Sequence, residues 1–172
     1  MSFGWIGESV LSQAGVRVRL AAAGDVGRIL AIERASAGAA HWSESDYQKA
    51  LAGSLAGEEP RRALLVAEYE GQVEGFLAAR SGHPAEWEIE NIAVAAAARR
   101  LGLGSSLLGA FVEQAQARNA RREGLEIHLE VRESNAAARH FYEKAGFLLD
   151  KRRRQYYRQP EEDALLYRLS FQ

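Results

Sequence analysis

The sequence predicts a mixed α/β fold in which one sheet of seven strands is covered by about four helices, in the order βααβββαβαββ. Two observations predict this class. From residue 16 onward, stretches with apolar residues at every second position alternate with stretches of helical spacing. The chain has 172 residues, a length that suits one domain with a full core. We therefore treat residues 15–172 as one domain and leave residues 1–14 as an unassigned N-terminal extension.

The first three elements are a strand and two helices. Valine and leucine alternate with arginine over residues 16–20, the pattern of a strand with one buried face. Asp25 precedes a helical pattern of apolar residues and is placed to cap that helix. Ser43 and Asp46 have the spacing of a capping box ahead of a second helical pattern. The chain is therefore expected to leave the sheet for two helices before it returns.

The remaining elements are joined by short connections. Glu70 to Gln72 separate two strand patterns and suit a hairpin turn. Gly146 follows a helical pattern and is placed to end it. The last two strands enclose a loop that contains Pro160. The predicted strands are residues 63–69, 73–79, 87–94, 125–131, 147–154 and 164–169, and the predicted helices are residues 105–118 and 135–145.

Composition argues against several classes of function. The net charge of −1 leaves no overall field that could hold nucleic acid. Without cysteine the chain has no disulfide, thiolate metal site or cysteine nucleophile, and its four histidines lack the spacing of metal ligands. No apolar run reaches the roughly 20 residues that span a bilayer, and the start lacks a signal-peptide layout. We expect a cytoplasmic protein that binds no metal, nucleic acid or membrane.

A glycine-containing segment, Arg99 to Gly104, lies between a predicted strand and a predicted helix. Its backbone N–H groups and the positive end of the helix dipole can converge on a phosphate. Glycine suits this role because it has no Cβ to block the approach. A short Gly-x-Gly also fits an ordinary tight turn, and the Rossmann pattern is not matched because its third glycine is absent. The residues alone leave a phosphate site and a plain turn open.

The same segment resembles the Arg/Gln-x-x-Gly-x-Gly/Ala motif of the GNAT N-acetyltransferase superfamily, whose order of elements also matches and implies a mostly antiparallel sheet. Over residues 16–170 the chain is most similar to bacterial ribosomal-protein alanine N-acetyltransferases of the RimI type. It departs from the family at Ala95 to Ala98, where an Asp-Pro and aromatic stretch is common. The segments that carry the resemblance are Asn91-Ile92-Ala93-Val94, Glu130-Val131-Arg132, Ser134-Asn135-Ala136-Ala137, Tyr142-Glu143, Gly146-Phe147, Arg153-Arg154-Gln155-Tyr156-Tyr157 and Glu162-Asp163-Ala164.

The resemblance implies acetyl-coenzyme A (acetyl-CoA) as the co-substrate. It implies that the main chain of Ile92 to Val94 pairs with the pantetheine arm, that Asn135 bonds the arm from the other side, and that Arg100 to Ser105 hold the pyrophosphate. A backbone N–H near Ala93 or Val94 would stabilise the oxyanion. Asn135 equally suits a helix cap. The residues expected to bind acetyl-CoA are Ile92, Ala93, Val94, Arg99, Arg100, Leu101, Gly102, Leu103, Gly104, Ser105 and Asn135.

Two side chains suit the proton transfers of acetyl transfer. Glu130 lies late on the fifth predicted strand, where a carboxylate can take the amine proton directly or through water. From the residues alone a solvated strand face is the commoner role for such a carboxylate, and the resemblance implies the catalytic one. His128, on the same face, ranks second as the base. Tyr142 can donate a proton to the coenzyme A thiolate, or only pack beside Phe141.

The acceptor is indicated by fewer residues. An α-amine loses its proton more readily than a lysine, which favours a protein N-terminus. The resemblance implies that Glu33 and Trp42 border the acceptor groove and that Tyr156 and Tyr157 hold a peptide, although a surface carboxylate, a core indole and strand aromatics are equally ordinary roles. We expect transfer to the N-terminus of a small-subunit ribosomal protein. A small amine, a protein lysine and a non-catalytic acyl-CoA-binding module stay open as alternatives.

Overall fold

The computed structural model describes residues 15–55, 62–83, 85–119 and 124–172. The predicted extension, residues 1–14, lies outside these ranges. Two 3-10 turns, Ala23–Asp25 and Ala96–Ala98, accompany the regular elements. The strands and helices are β1 (Val16–Leu20), α1 (Val26–Arg34), α2 (Glu44–Leu55), β2 (Arg62–Tyr69), β3 (Gln72–His83), β4 (Glu86–Val94), α3 (Leu103–Arg118), β5 (Leu125–Arg132), α4 (Ala136–Lys144), β6 (Leu148–Arg158) and β7 (Glu161–Phe171).

The predicted order of elements is confirmed, and the seven strands are arranged as β1-β2-β3-β4-β5-β7-β6. The β1–β2, β5–β7 and β6–β7 pairs are antiparallel, whereas β4 and β5 are parallel. Between β2 and β3, Glu70 and Gly71 have φ angles of 50° and 78°, which suits a two-residue hairpin turn. The sheet is therefore mixed and mostly antiparallel, as the resemblance implied.

Two helix starts differ in how they are capped. Before α2, the Asp46 carboxylate accepts from the Ser43 N–H at 2.9 Å, and the Asp46 N–H donates to Ser43 Oγ at 3.3 Å, which confirms the predicted capping box. Asp25 occupies the N-cap position of α1, as predicted, but its side chain makes no capping hydrogen bond. Its carboxylate instead accepts from the Arg19 guanidinium at 2.6 and 3.0 Å and from the Ala22 N–H at 2.7 Å, so both of its oxygens are occupied away from the start of α1.

Strand β6 is longer than predicted. It continues to Arg158, so that Tyr156 and Tyr157 lie within it, and only Gln159 and Pro160 separate it from β7. All but one of its side chains are exposed, so the strand carries no apolar alternation that the sequence could reveal. Its ladder with β7 defines the strand instead, with irregularities in register between Leu149 and Lys151 and between Arg153 and Tyr157.

The residues group into two compact units, of which the first comprises Asn91–Gln114 and the described part of Met1–Ala78. Its core joins apolar residues of α1 and α2 to residues of β2 and β3. Trp42 and Ala95 pack against this cluster. The cluster consists of Ala21, Val26, Ile29, Leu30, Ile32, Tyr47, Ala50, Leu51, Leu64, Val66, Val73, Phe76, Ala78 and Ala93.

The second unit comprises the described parts of Ala79–Glu90 and Ala115–Gln172. Along β5 the side chains alternate strictly between buried and half-buried positions, so the strand has one apolar and one polar face, as predicted. The buried side chains of β5 are Leu125, Ile127, Leu129 and Val131. The polar face consists of Glu126, His128, Glu130 and Arg132. None of the described helices is long and apolar enough to cross a membrane.

Candidate active site

The segment between β4 and α3 forms a tight, left-handed turn. After the 3-10 turn that buries Ala98, Arg100 and Gly102 have φ angles of 65° and 82°. A positive φ angle is uncommon for arginine, so the surrounding structure must hold the Arg100 backbone in place. The first backbone bond of α3 runs from the Ser106 N–H to the Gly102 carbonyl at 2.9 Å. By helix geometry, the N–H groups of residues 103–105 therefore have no intrahelical acceptor.

This helix start is also electropositive. The first turn of α3 contains no acidic residue that would compensate the positive end of the helix dipole. Arg99 and Arg100 lie four and three residues before the helix and are exposed. Backbone N–H groups and two guanidinium groups together match the charge and the acceptors of a pyrophosphate. The predicted phosphate-binding segment is thus suited to an anion by both geometry and charge.

The carboxyl-terminal part of β4 extends beyond its ladder with β5. The parallel register runs from Glu86 opposite Glu126 to Ile89 opposite Leu129, whereas β4 continues to Val94. Within the described residues, the register with β5 thus leaves out residues 90–94. A linear molecule with amide groups can pair with such a strand edge as another strand would. This arrangement suits the role predicted for Ile92 to Val94.

Gly75 is a residue that the sequence analysis missed. A Cβ at this position in β3 would lie 3.2 Å from the Ala93 carbonyl oxygen, 3.2 Å from Val94 and 3.3 Å from Leu107. The adjacent Glu74 carbonyl accepts a 2.8 Å hydrogen bond from the Ala95 N–H. An isolated glycine inside a strand pattern is the signal that could have revealed this close approach. Gly75 therefore allows β3 and α3 to support the end of β4.

In the second unit, the candidate base Glu130 is joined to strand β6. Arg153 Nη1 donates to Glu130 Oε1 at 2.6 Å. A hydrogen bond with Glu130 raises the pKa of the Tyr156 hydroxyl above its ordinary value, and the carboxylate charge adds to this shift. Two sequence-predicted residues, Glu130 and Tyr156, are thus brought together. The sequence predicted no individual role for Arg153, because a run of basic residues more often marks a solvated face.

The neighbouring tyrosine completes an aromatic pair. The rings of Tyr156 and Tyr157 pack edge to face with centroids 5.2 Å apart. The Arg132 guanidinium lies 3.9 Å from the centroid of the Tyr157 ring, and Arg153 lies 5.5 Å from that of Tyr156. Such cation–π contacts hold aromatic rings in place. Burial raises the pKa of the Tyr157 hydroxyl, so both phenols are neutral at physiological pH.

His128 has different partners from Glu130. Its Nε2 lies 3.3 Å from a carboxylate oxygen of Glu126 and 4.0 Å from one of Glu86. Glu126 in turn pairs with Arg168 at 2.8 Å. The histidine shares the polar face of β5 with Glu130, as predicted, and its Nε2 lies beside the carboxylates of Glu126 and Glu86. The geometry therefore favours Glu130 over His128 as the residue joined to the Arg153–Tyr157 segment.

Helix α4 presents Asn135 and Tyr142 at a spacing of two helical turns. The Asn135 side-chain oxygen accepts from the Ala138 N–H at 3.1 Å, so this residue is a helix cap and its amide nitrogen is the group left to donate elsewhere. Tyr142 is 6% exposed and packs edge to face against Phe141 and Phe147. Burial raises the pKa of Tyr142, which keeps its phenol protonated at neutral pH.

Replacing Tyr142 with phenylalanine is expected to slow the chemical step by about 10²-fold, the lower end of the range for a lost general acid, because only the proton donor is removed. Ring packing and acetyl-CoA affinity should be retained. Single-turnover kinetics measures this step. Tyr167→Phe is the matched control, since it removes a phenol that donates to Glu143 at 2.7 Å outside the proposed proton path. A full single-turnover rate in Tyr142→Phe would leave Tyr142 only its packing role.

The two residues predicted to border the acceptor groove differ in exposure. Glu33 is only 1% exposed, and its Oε1 accepts from the Trp42 N–H and from Asn91 Nδ2, both at 2.8 Å. Trp42 is partly buried, and its ring centroid lies 5.2 Å from that of Tyr47. Glu33 is thus a buried hydrogen-bonding group, whereas Trp42 is partly accessible.

Among the described residues, no group of three or more His, Asp or Glu side chains is placed to hold a metal ion.

The chain matches the model of the acetyltransferase (GNAT) family over residues 28–147. It is 34% identical over 125 residues to an N-alpha-acetyltransferase of Sulfurisphaera tokodaii, which covers 63% of this chain and 70% of that protein. It is 30% identical over 148 residues to a Bacillus subtilis (strain 168) protein named, provisionally, as a ribosomal protein bS18-alanine N-acetyltransferase. That match covers 83% of this chain and 87% of the relative.

The solved structures to which this chain is similar also include acetyltransferases. The ribosomal-protein-S18-alanine N-acetyltransferase from Escherichia coli has a TM-score of 0.73 at 27% identity, with 90% of this chain and 93% of that chain covered. A Bacillus anthracis protein, provisionally a streptothricin acetyltransferase, was solved in complex with acetyl-CoA; it has a TM-score of 0.59 at 28% identity over 67% of this chain and 65% of that chain. The resemblance inferred from the motifs is confirmed, and the chain belongs to the GNAT family of acetyltransferases.

Proposed function

We propose that the chain is an acetyl-CoA-dependent N-α-acetyltransferase that acts on a protein N-terminal amine. The observation that carries this proposal is the contact of the Glu130 carboxylate with Arg153 and Tyr156, which joins the candidate base to the segment expected to hold a peptide. The curated relatives support it, because one is named an N-alpha-acetyltransferase and the other a ribosomal-protein alanine N-acetyltransferase. By analogy, the N-terminal alanine of a small-subunit ribosomal protein is the proposed natural acceptor.

Acetyl-CoA is the proposed co-substrate, and it would supply the activated acetyl thioester. The electropositive start of α3 supports pyrophosphate binding by Arg99 to Ser105. The end of β4, which continues past its register with β5, supports backbone pairing of Ile92 to Val94 with pantetheine. Asn135 retains its amide nitrogen as a donor for the same molecule.

The proposed role of Glu130 is to accept the proton of the incoming amine. An α-amine of pKa near 8 costs roughly 0.3–0.7 kcal/mol to deprotonate at pH 7.5, whereas a lysine costs about 4 kcal/mol. A single carboxylate is therefore sufficient for an α-amine and is poorly matched to a lysine. In the free enzyme the carboxylate is paired with Arg153. A cationic N-terminus that reaches Glu130 replaces this pairing with its own.

The proposed role of Tyr142 is to hold a proton for the leaving thiolate. Burial raises its pKa, so the phenol is still protonated when the leaving thiolate forms. Its packing between two phenylalanine rings fixes the ring. Direct transfer then needs one group that accepts a proton and another that donates one.

The proposed contacts of the acceptor peptide are Trp42, Tyr156 and Tyr157.

The acceptor class is tested by kinetics on matched substrates. A peptide that starts with Ala-Arg is expected to have a kcat/KM at least about 10² higher than that of spermidine or an aminoglycoside, because these small amines lack groups that occupy the peptide contacts. Replacing Tyr156 or Tyr157 with alanine should raise the peptide KM more than it lowers kcat, which is the mark of lost uniform binding. A preference for either small amine would overturn the N-terminal assignment and leave the family assignment intact.

A further inference from the structure

A buried polar network lies in the first unit, behind the connection between α1 and α2 (residues 35–43). Its three side chains, Glu33, Tyr47 and Asn91, are 1%, 0% and 5% exposed and come from α1, α2 and β4. Asn91 Nδ2 donates to Glu33 Oε1 at 2.8 Å and to Tyr47 Oη at 2.9 Å. Polar groups so deeply buried are stable only when they are hydrogen-bonded to one another.

The network also holds the backbone of the connection. The Trp42 N–H donates to Glu33 Oε1 at 2.8 Å, and the Ala40 N–H donates to Asn91 Oδ1 at 3.4 Å. Between them, His41 has a φ of 56°, a left-handed conformation that is uncommon for a residue other than glycine. The hydrogen bonds on both sides of His41 therefore stabilise a backbone shape that the connection would not adopt alone.

The ionic state of the network follows from its burial. Burial raises the pKa of Tyr47, and the nearby Glu33 carboxylate raises it further through its charge and a hydrogen bond. The phenol is therefore a permanent donor at physiological pH. On the other side, Asn91 directly precedes Ile92, the first residue of the proposed acetyl-CoA strand. One network thus links the end of β4 to the backbone that carries Trp42.

We propose that Glu33, Asn91 and Tyr47 are positioning residues that set the α1–α2 connection for acceptor binding, and that Glu33 does not contact the acceptor itself. This inference rests on the proposed function only in taking Trp42 as an acceptor contact. The Glu33 carboxylate is buried, and its Oε1 already accepts from two N–H groups. It is therefore placed to hold the backbone of the connection and not to bind a substrate amine.

The test compares KM and kcat in four variants with the wild-type enzyme and the free-amine peptide. Glu33→Ala and Asn91→Ala are each expected to raise the acceptor KM about tenfold, with kcat and the acetyl-CoA Kd changed less than about threefold. Glu33→Gln should recover most of the loss, because its amide oxygen still accepts both N–H groups. The double variant Glu33→Ala/Asn91→Ala should be little worse than either single variant, since both act through one network.

Ser54→Ala is the matched control. Ser54 is a buried α2 residue whose Oγ accepts from the Leu64 N–H at 3.2 Å, away from the connection. It should lower the melting temperature without a change in the acceptor KM. If Glu33→Ala does not fold, Asn91→Ala and Tyr47→Phe test the same network. An unchanged KM in the folded variants, fully additive losses, or an equal rise in Ser54→Ala would each overturn the proposal. If the wild-type enzyme prefers another acceptor, the proposed function fails and the same series is measured on that acceptor.

Discussion

Replacing Glu130 with glutamine is expected to lower kcat by about 10²–10⁴, the range for loss of a general base, with little change in acetyl-CoA affinity. Glutamine keeps the size of the side chain and can still accept from Arg153, but it cannot take a proton from the amine. Raising the pH should partly restore the rate, because a larger fraction of the amine then arrives deprotonated. Steady-state kinetics over a pH range measures the loss of kcat and its recovery, and calorimetry measures the affinity for acetyl-CoA.

His128→Gln is the control for this prediction, because His128 shares the polar face of β5 but pairs with Glu126 and Glu86. Its kcat is expected to stay within about threefold of the wild-type value, as for a residue outside the proton path. A larger loss in His128→Gln than in Glu130→Gln would make the histidine the base. It would also remove the support that the contact of Glu130 with Arg153 and Tyr156 gives to the proposed function.

Replacing Gly104 with valine is expected to weaken acetyl-CoA binding by at least about 10²-fold, the cost of losing two or more charge-assisted hydrogen bonds. Gly104 is the second residue of α3, within the turn whose N–H groups have no intrahelical acceptor. A branched side chain at this point would push a pyrophosphate away from those groups. Calorimetric titration with acetyl-CoA gives the affinity, and circular dichroism reports whether the fold is retained.

Gly27→Val provides a matched control. Gly27 is likewise the second residue of its helix, α1, and a Cβ there meets no atom within 4 Å. Both variants carry the same cost of a β-branched residue in a first helical turn. Gly27→Val should therefore bind acetyl-CoA as the wild-type protein does. Normal binding by a folded Gly104→Val variant would show that the start of α3 is not the pyrophosphate site.

The parts of the structure that the sequence could predict are those with a local pattern. The alternation of β5 correctly placed Glu130 and His128 on one polar face, because side chains in a strand alternate with a strict period of two. The Ser43–Asp46 capping box was readable for the same reason: the bonds join residues only three positions apart.

The parts that escaped prediction depend on residues far apart in the chain. Arg153 contacts Glu130 only because β7 pairs with both β5 and β6, and nothing in the basic run around it distinguishes this arginine from its neighbours. Similarly, Asn91 meets Glu33 across 58 positions. The family motifs include Arg153 and Asn91 but do not indicate which residues these two side chains contact. Side-chain pairing across strands and helices therefore had to come from the three-dimensional structure.

The N-terminal assignment is tested most directly with one peptide that carries both kinds of amine. The peptide starts with a free Ala-Arg and contains a single internal lysine, and it is incubated with acetyl-CoA and the wild-type enzyme. Fragmentation mass spectrometry of the product then locates the acetyl group. We expect it on the α-amine of the alanine, because that amine costs roughly 3 kcal/mol less to deprotonate than the lysine. An acetyl group on the lysine side chain would contradict the proposed N-terminal activity.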